Sequence, residues 1–308
     1  MTTLPEISIV LPVYNGAKYL RESIDSCLAQ TFRNWELIVV NDCSTDESGA
    51  IAEEYAAKDE RIRIIHNETN LKLPASLNAG FRQAKGEYLT WTSDDNRYLP
   101  HALQRMIDFL QNQPKYQMVC AAFEYIDGEG KNLNRTVIPL SYPQICGNSV
   151  GACFLYTRKV YEAIGEYDTS YFLAEDYDYW LRIDKQFQMG LIKDVLYCYR
   201  GHPQSLSTER RTEIENATIE LKRKYWKDYL PALSRGNRIK ALVRIADDNA
   251  IDSYEGMERL FPEGLAFRGD RLVMRYYFLE FRYPICKKVR QTLRSFVHFI
   301  FPKNRTKI

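Results

Sequence analysis

Two carboxylates stand side by side in Thr92-Ser93-Asp94-Asp95-Asn96, directly after the apolar stretch Tyr88–Thr92. Adjacent acids at the end of a buried strand offer hard oxygen ligands for Mg2+ or Mn2+, shared with the phosphates of a substrate. In a solvated turn the same pair would only cap the next helix, and the residues alone leave both readings open. Asp42 closes a second apolar run, Glu36–Asn41. A carboxylate there can accept from the imide N–H of a nucleobase, with Tyr14 of a neighbouring loop stacking on that base. Asp42-Cys43-Ser44-Thr45-Asp46 is equally a helix-cap cluster. Glu175 and Asp176 open the acidic-aromatic segment Glu175-Asp176-Tyr177-Asp178-Tyr179-Trp180. Acids in a first helical turn are favoured by the macrodipole, and a carboxylate in this place can also serve as a general base. His202, beyond a later apolar run, is either a surface-loop histidine or a contact to metal or phosphate.

These residues come together only if the chain folds back on itself in a regular way. Over the first 127 residues two hydrophobic periods alternate. Ile7–Val13 is a continuous apolar run, and Leu20, Ile24, Cys27 and Leu28 then recur at helical spacing. After the strand Glu36–Asn41, Ser44 and Glu47 form a capping box that predicts a helix to about Lys58. Arg61–His66 reads as a third strand, Leu73, Leu77, Phe81 and Ala84 as a helix, and Tyr88–Thr92 as a fourth strand. A helix from Pro100 and a fifth strand, Met118–Ile126, follow, with Asp127-Gly128-Glu129-Gly130 as a turn. Further on, Arg158–Ile164 and Tyr171–Lys185 read as helices and Met189–Tyr199 as a strand, and from Thr208 the chain is mostly helical. Apolar rather than alternating strands, each followed by a helix, predict an α/β fold with a parallel sheet covered on both faces. Ligands bind such sheets at the carboxyl ends of the strands. That rule selects the loops Pro12–Gly16, Asn41–Asp46, Asn67–Lys72 and Ser93–Asn96.

The bulk chemistry of the chain sets limits on the class. With 308 residues, 45% apolar and 27% charged, it is an ordinary globular sequence, and a net charge of +2 excludes a molecule built as a polyanion binder. The balance is uneven: ten Lys/Arg against two acids give residues 270–308 a charge of +8 and leave −6 on residues 1–269. Seven cysteines without a C-x-x-C pair predict reduced thiols. The sequence shows neither a signal-peptide pattern nor a run of ~18 apolar residues, so a cytoplasmic protein is expected. In the tail, Ile285, Val289, Leu293, Phe296, Val297 and Ile300 fall on one helical stripe beside Lys287, Lys288, Arg290 and Arg294. This predicts a basic amphipathic helix over about 284–301, either lying on an anionic inner membrane face or packed on the protein.

One ordered series ties the candidate residues together. Pro12-Val13-Tyr14-Asn15-Gly16, Asn41-Asp42-Cys43-Ser44-Thr45-Asp46, Asn78-Ala79-Gly80 with Ala84-Lys85-Gly86-Glu87-Tyr88, Ser93-Asp94-Asp95 and Glu175-Asp176 occur in that order. The series resembles glycosyltransferase family 2, nucleotide-sugar-dependent enzymes with the GT-A fold, over about residues 6–205. Thr92-Ser93-Asp94-Asp95-Asn96 is most similar to the branch that makes spore-coat polysaccharide. The resemblance implies a Rossmann-like, mostly parallel sheet with helices on both faces, plus a helical C-terminal extension. It implies a catalytic domain over 1–205, with a nucleotide-binding part at 1–127 and an acceptor part at 128–205, followed by a helical region at 206–308.

The same resemblance assigns roles. Pro12, Tyr14 and Asp42 would hold uracil, with Lys72 beside the nucleotide. Asp94 would bind ribose, Asp95 would hold Mn2+ or Mg2+ bridging the diphosphate, and Asp176 would be the catalytic base. His202, in Tyr199-Arg200-Gly201-His202-Pro203, matches the family's diphosphate-side loop and would contact phosphate or metal. The implied reaction is inverting transfer from a UDP-sugar to a hydroxyl of a glycan or lipid-linked glycan at a bacterial cell surface. Three departures bear on details: Thr92 and Asn41 stand where many members carry Asp, and Leu71 where a Gly is common. The Gln-x-x-Arg-Trp motif of processive synthases is absent, which favours transfer of a single sugar. Two rival readings are a sugar nucleotidyltransferase, which normally opens on a Gly-rich phosphate loop, and a non-catalytic nucleotide-sugar-binding module.

Overall fold

A computed structural model describes residues 4–139 and 143–234, together with 237 and 241. The chain divides into two compact units, Met1–Leu221 and Lys222–Ile308. The tail helix expected over 284–301 lies outside the described residues.

The strands that open the chain are β1 (Ile7–Val13), β2 (Trp35–Asn41), β3 (Ile62–His66) and β4 (Tyr88–Trp91). Between them run helices α1 (Ala17–Leu28), α2 (Ser48–Lys58) and α3 (Leu73–Gln83). After β4 come a two-residue strand β5 (Arg97–Tyr98), helix α4 (Ala102–Asn112), β6 (Met118–Ile126) and β7 (Asn132–Val137). β8 (Phe154–Thr157), α5 (Arg158–Ile164), α6 (Glu175–Asp184) and β9 (Met189–Arg200) complete the sheet and its cover. A short α7 (Leu206–Glu209) and α8 (Arg211–Tyr229) follow.

The nine strands of the described residues form one sheet in the order β3-β2-β1-β4-β8-β6-β9-β5, with β7 pairing β6 outside that path. Strands β3, β2, β1 and β4 are parallel, and β6 and β9 are parallel to each other. β8 runs antiparallel between β4 and β6, so the sheet is mixed. Every residue of β1 and β2 is buried, as expected for strands covered on both faces. The alternation of side chains sorts the core into two layers. Ile7, Ile9 and Leu11 of β1 pack with Leu20, Ile24 and Cys27 of α1 and Leu103, Met106 and Ile107 of α4. Val10, Ile38 and Val40 face the other way, onto Leu77 and Phe81 of α3, in a layer that also holds Tyr179, Trp180 and Ile183 of α6.

Three local expectations differ. The Ser44–Glu47 capping box does not form: α2 starts at Ser48, whose N–H is bonded by Asp46 Oδ1 at 2.9 Å. Ser44 Oγ is drawn instead to the β1–α1 loop, accepting from Asn15 N at 3.0 Å. The helix expected over Tyr171–Lys185 begins only at Glu175, because Leu173 takes a φ of +84° that no helix continues through. β5, β7 and β8 are additional: β5 and β8 are only two and four residues long, and β7 is too polar to show an apolar pattern. Five cysteines, at 27, 43, 120, 153 and 198, are free thiols. No described helix is long and apolar enough to cross a membrane.

Candidate active site

The carboxyl ends of β1, β2 and β4 open into a single crevice of about 880 Å³. Pro12, Tyr14, Asp42, Lys72, Asp94, Asp95, Asp176 and His202 all line it, so residues spread over 190 positions of sequence share one space. At the β2 end, Asn41 turns its carboxamide sideways to accept from Ser44 N at 3.1 Å and to meet His66 Nδ1 at 3.2 Å. Asp42 is therefore the residue left facing the crevice. Its Oδ1 accepts from Asn67 Nδ2 and from Leu71 N, each at 2.8 Å, and its Oδ2 accepts from Lys72 N at 2.9 Å. The carboxylate thus holds the loop before α3, where Lys72 has a φ of +72°. Tyr14 projects beside it with half of its surface exposed.

At the β4 end, Asp94 lies so close to Gly16 that a Cβ there would sit 1.7 Å from Asp94 Oδ2. Burial, and then the charge of Asp95, push the Asp94 carboxyl up to about 8. Burial also raises Asp95, opposed first by His202 and then by the charge of Arg200. His202 Nε2 lies 3.0 Å from Asp95 Oδ2, with little of either side chain exposed, so His202 is no surface-loop histidine. Neither acid caps α4, whose cap position is His101. Thr92, at the position where many members of the resembling family carry Asp, faces away and meets the Tyr197 hydroxyl at 2.7 Å.

The third station is the first turn of α6. Asp176 Oδ1 accepts from Tyr177 N at 2.6 Å and Oδ2 from Asn148 Nδ2 at 3.0 Å. Burial raises its pKa, and the Asn148 bond pulls the other way. Glu175 is turned inward, accepting from Leu173 N at 2.8 Å, and burial together with the Asp176 charge pushes it up to about 8. Asp176 lines the crevice with Asn148 and a group of aromatic rings, among them Trp91, Phe172 and Tyr199. Sequence reasoning selected Asn67 only as the first residue of the loop Asn67–Lys72, and did not select Asn148 or Arg200. Asn148 sits in a small, polar stretch without periodicity, and Arg200 carried a signal only as the neighbour of His202.

Residues 8–170 match the model of Glycosyl transferase family 2. The chain belongs to that family. An uncharacterised glycosyltransferase of Rickettsia felis is 31% identical over 249 residues, covering 77% of this chain and 40% of the relative. The chain therefore spans about two fifths of that relative's length. Among solved structures, S. aureus TarS 1–349 in complex with UDP superposes with a TM-score of 0.57 at 16% identity, covering 92% of this chain and 94% of that one. The mannosyltransferase PcManGT of Pyrobaculum calidifontis, in complex with GDP-Man and Mn2+, also gives 0.57 at 16% identity, over 98% and 89% of the two chains. These likenesses establish the GT-A fold for this chain.

The site also has a donor set suited to a divalent ion. Asp95 Oδ1 is buried and finds no hydrogen-bond partner, while His202 Nε2 stands 3.0 Å from the other oxygen of the same carboxylate. Buried polar atoms are normally satisfied, so an orphaned carboxylate oxygen beside an imidazole fits a position completed by a bound ion. A carboxylate with an imidazole suits Mn2+. No group of three His, Cys, Asp or Glu side chains converges among the described residues, so two protein ligands would leave room for substrate phosphates.

Proposed function

We propose that the transferase moves one sugar from a UDP-sugar to a hydroxyl of a glycan or lipid-linked glycan, with inversion at the anomeric carbon. The observation that carries this reading is the shared crevice, in which Asp42, the Asp94–Asp95 pair and Asp176 occupy three successive stations. A carboxylate oxygen offers two acceptor positions. Oδ1 of Asp42 already holds two donors and Oδ2 one, leaving a single position on Oδ2. One imide N–H, as in uracil, fits that vacancy, whereas guanine presents a pair of neighbouring donors. The complex of TarS with UDP is in keeping with this choice.

Asp95 and His202 would hold the divalent ion, which supplies charge neutralisation for the departing diphosphate. Asp94 would hold the ribose, and Lys72 the rim beside the nucleotide. Asp176 accepts the proton of the acceptor hydroxyl as its oxygen attacks the anomeric carbon. The new C–O bond forms on one face while the bond to the diphosphate breaks on the other, so no covalent enzyme intermediate arises. The hydrogen bond from Asn148 keeps Asp176 oriented and favours its charged form.

A nucleotidyltransferase would need free amides in the β1–α1 loop to cradle phosphates. Here the N–H groups of Asn15, Gly16 and Ala17 are bonded to Ser44, Ser48 and Asp46. A binding module without turnover is separated by assay. UDP release from a panel of UDP-sugars should require Mn2+ or Mg2+ and stop with EDTA. Asp176→Asn should lower turnover by about 10²-fold or more, while UDP affinity stays within about twofold. Equal loss of affinity and turnover would make Asp176 structural and refute the assignment.

A further inference from the structure

Arg200 has no exposed surface at all. Its charge is paired with a single carboxylate, the half-exposed Glu22 of α1, at 2.6 Å. The remaining donors go to main-chain oxygens: Nε to Asp95 O at 2.8 Å, and Nη1 to Asp127 O at 3.2 Å and Gly128 O at 3.1 Å. Its own N–H donates to Asn96 Oδ1 at 2.7 Å. The guanidinium lies over the Tyr19 ring, 4.5 Å from its centre, and that ring stands 5.0 Å from the His202 imidazole. A single side chain therefore touches the backbone of Asp95, the β6–β7 turn and α1, and reaches His202 through Tyr19. Two bulges in the pairing of β9 with β6 bring Arg200 opposite Ile126, where these contacts converge.

Burying a cation whose direct ion pair is with a half-exposed carboxylate is costly, and Arg200 places one of its donors on the main chain of Asp95 as well as on the hairpin. Only the planar fork of Arg reaches all four oxygens at once. We propose that Arg200 is a positioning residue for the divalent-ion site, holding Asp95 and the His202 imidazole together as the pair that would take the ion. This rests on the reading that Asp95 and His202 hold the ion. Groups that orient metal ligands commonly set metal affinity by about 10–100-fold.

The test measures Mn2+ binding directly, from the electron paramagnetic resonance of free Mn2+ in the presence of UDP, for the full chain and for Arg200→Lys and Glu22→Gln. Arg200→Lys should weaken Mn2+ binding about 10-fold or more, leave metal-free UDP affinity within about twofold, and recover kcat as Mn2+ is raised. Glu22→Gln, on a half-exposed helix face, should shift Mn2+ affinity the same way by less. Wild-type Mn2+ affinity in Arg200→Lys overturns the proposal, as does a loss of metal-free UDP binding equal to the loss of Mn2+ binding. If Arg200→Lys does not fold, unchanged Mn2+ affinity in Glu22→Gln overturns it. Wild-type protein that takes up no Mn2+ with UDP would instead refute the metal reading beneath it.

Discussion

Replacing Gly16 with alanine tests how tightly the loop after β1 is fitted to the Asp94 carboxylate. Gly16 has a φ of −106°, so alanine meets no backbone strain there and the effect is purely one of space. The added methyl would lie 1.7 Å from Asp94 Oδ2 and 2.6 Å from Asp94 Cγ. Ordinary contact begins near ~3.5 Å, so about 1.8 Å must be opened. The loop cannot easily give, because three consecutive amides are tied to Ser44, Ser48 and Asp46. Asp94 must therefore swing out of place, either toward Asp95 or into the crevice. Overpacking of this kind costs about 1–3 kcal/mol of stability. Misplacing a positioning group by an ångström or more lowers kcat/KM by about 10²-fold. Donor kinetics and thermal melts of Gly16→Ala, alone and combined with Asp94→Ala, measure both. In the Asp94→Ala background most of the stability loss should vanish, since only the 3.1 Å approach to Val13 Cγ2 remains. Wild-type kcat/KM in the single variant, or an undiminished stability loss in the double one, would refute the steric argument.

Asn148→Ala removes the bond that favours ionised Asp176, so the acid limb of the kcat–pH profile should move to higher pH. A limb that stays in place counts against Asp176 as the base. Glu175 has a folded pKa raised to about 8. Unfolded it titrates near ~4.3, so its contribution to stability is full below that pH and is lost as pH rises through about 8. Glu175→Gln should therefore melt progressively higher than wild type as pH rises from ~4.3 to about 8, and a constant difference in Tm would refute this. Asn67→Ala takes one of the three donors from Asp42. UDP affinity should fall about fivefold, for roughly 1 kcal/mol, with kcat little changed in steady-state assays; a kcat effect alone would place Asn67 elsewhere in the reaction.

Much of the fold was legible because buried parallel strands are written as unbroken apolar runs. Ile7–Val13 and Met118–Ile126 match the observed strands residue for residue. β7 was hidden because its sequence, Asn-Leu-Asn-Arg-Thr-Val, is largely exposed and carries no apolar period. β5 is only two residues long, held by its antiparallel pairing with β9. The Ser44–Glu47 signal failed because a long-range bond to Asn15 outweighed a local cap. At the site, acids at strand ends were readable from residue type and position. Asn148 and Arg200 were not, since their importance lies in which oxygens they meet 28 and 105 positions away.

Asp95 and His202 are separated by 107 positions along the chain. At synthesis rates of about 5–20 residues per second, roughly 5–20 s pass between the making of one and the other. In that interval β1, β2, β3 and β4 can assemble, so the Asp42 end of the crevice exists early. β5 has no neighbour but β9 in the sheet order, and stays unpaired until β9 emerges and enters beside β6. The parallel β6–β9 pairing is thus the step that brings His202 to Asp95, so that pair forms only after the Asp42 end of the crevice.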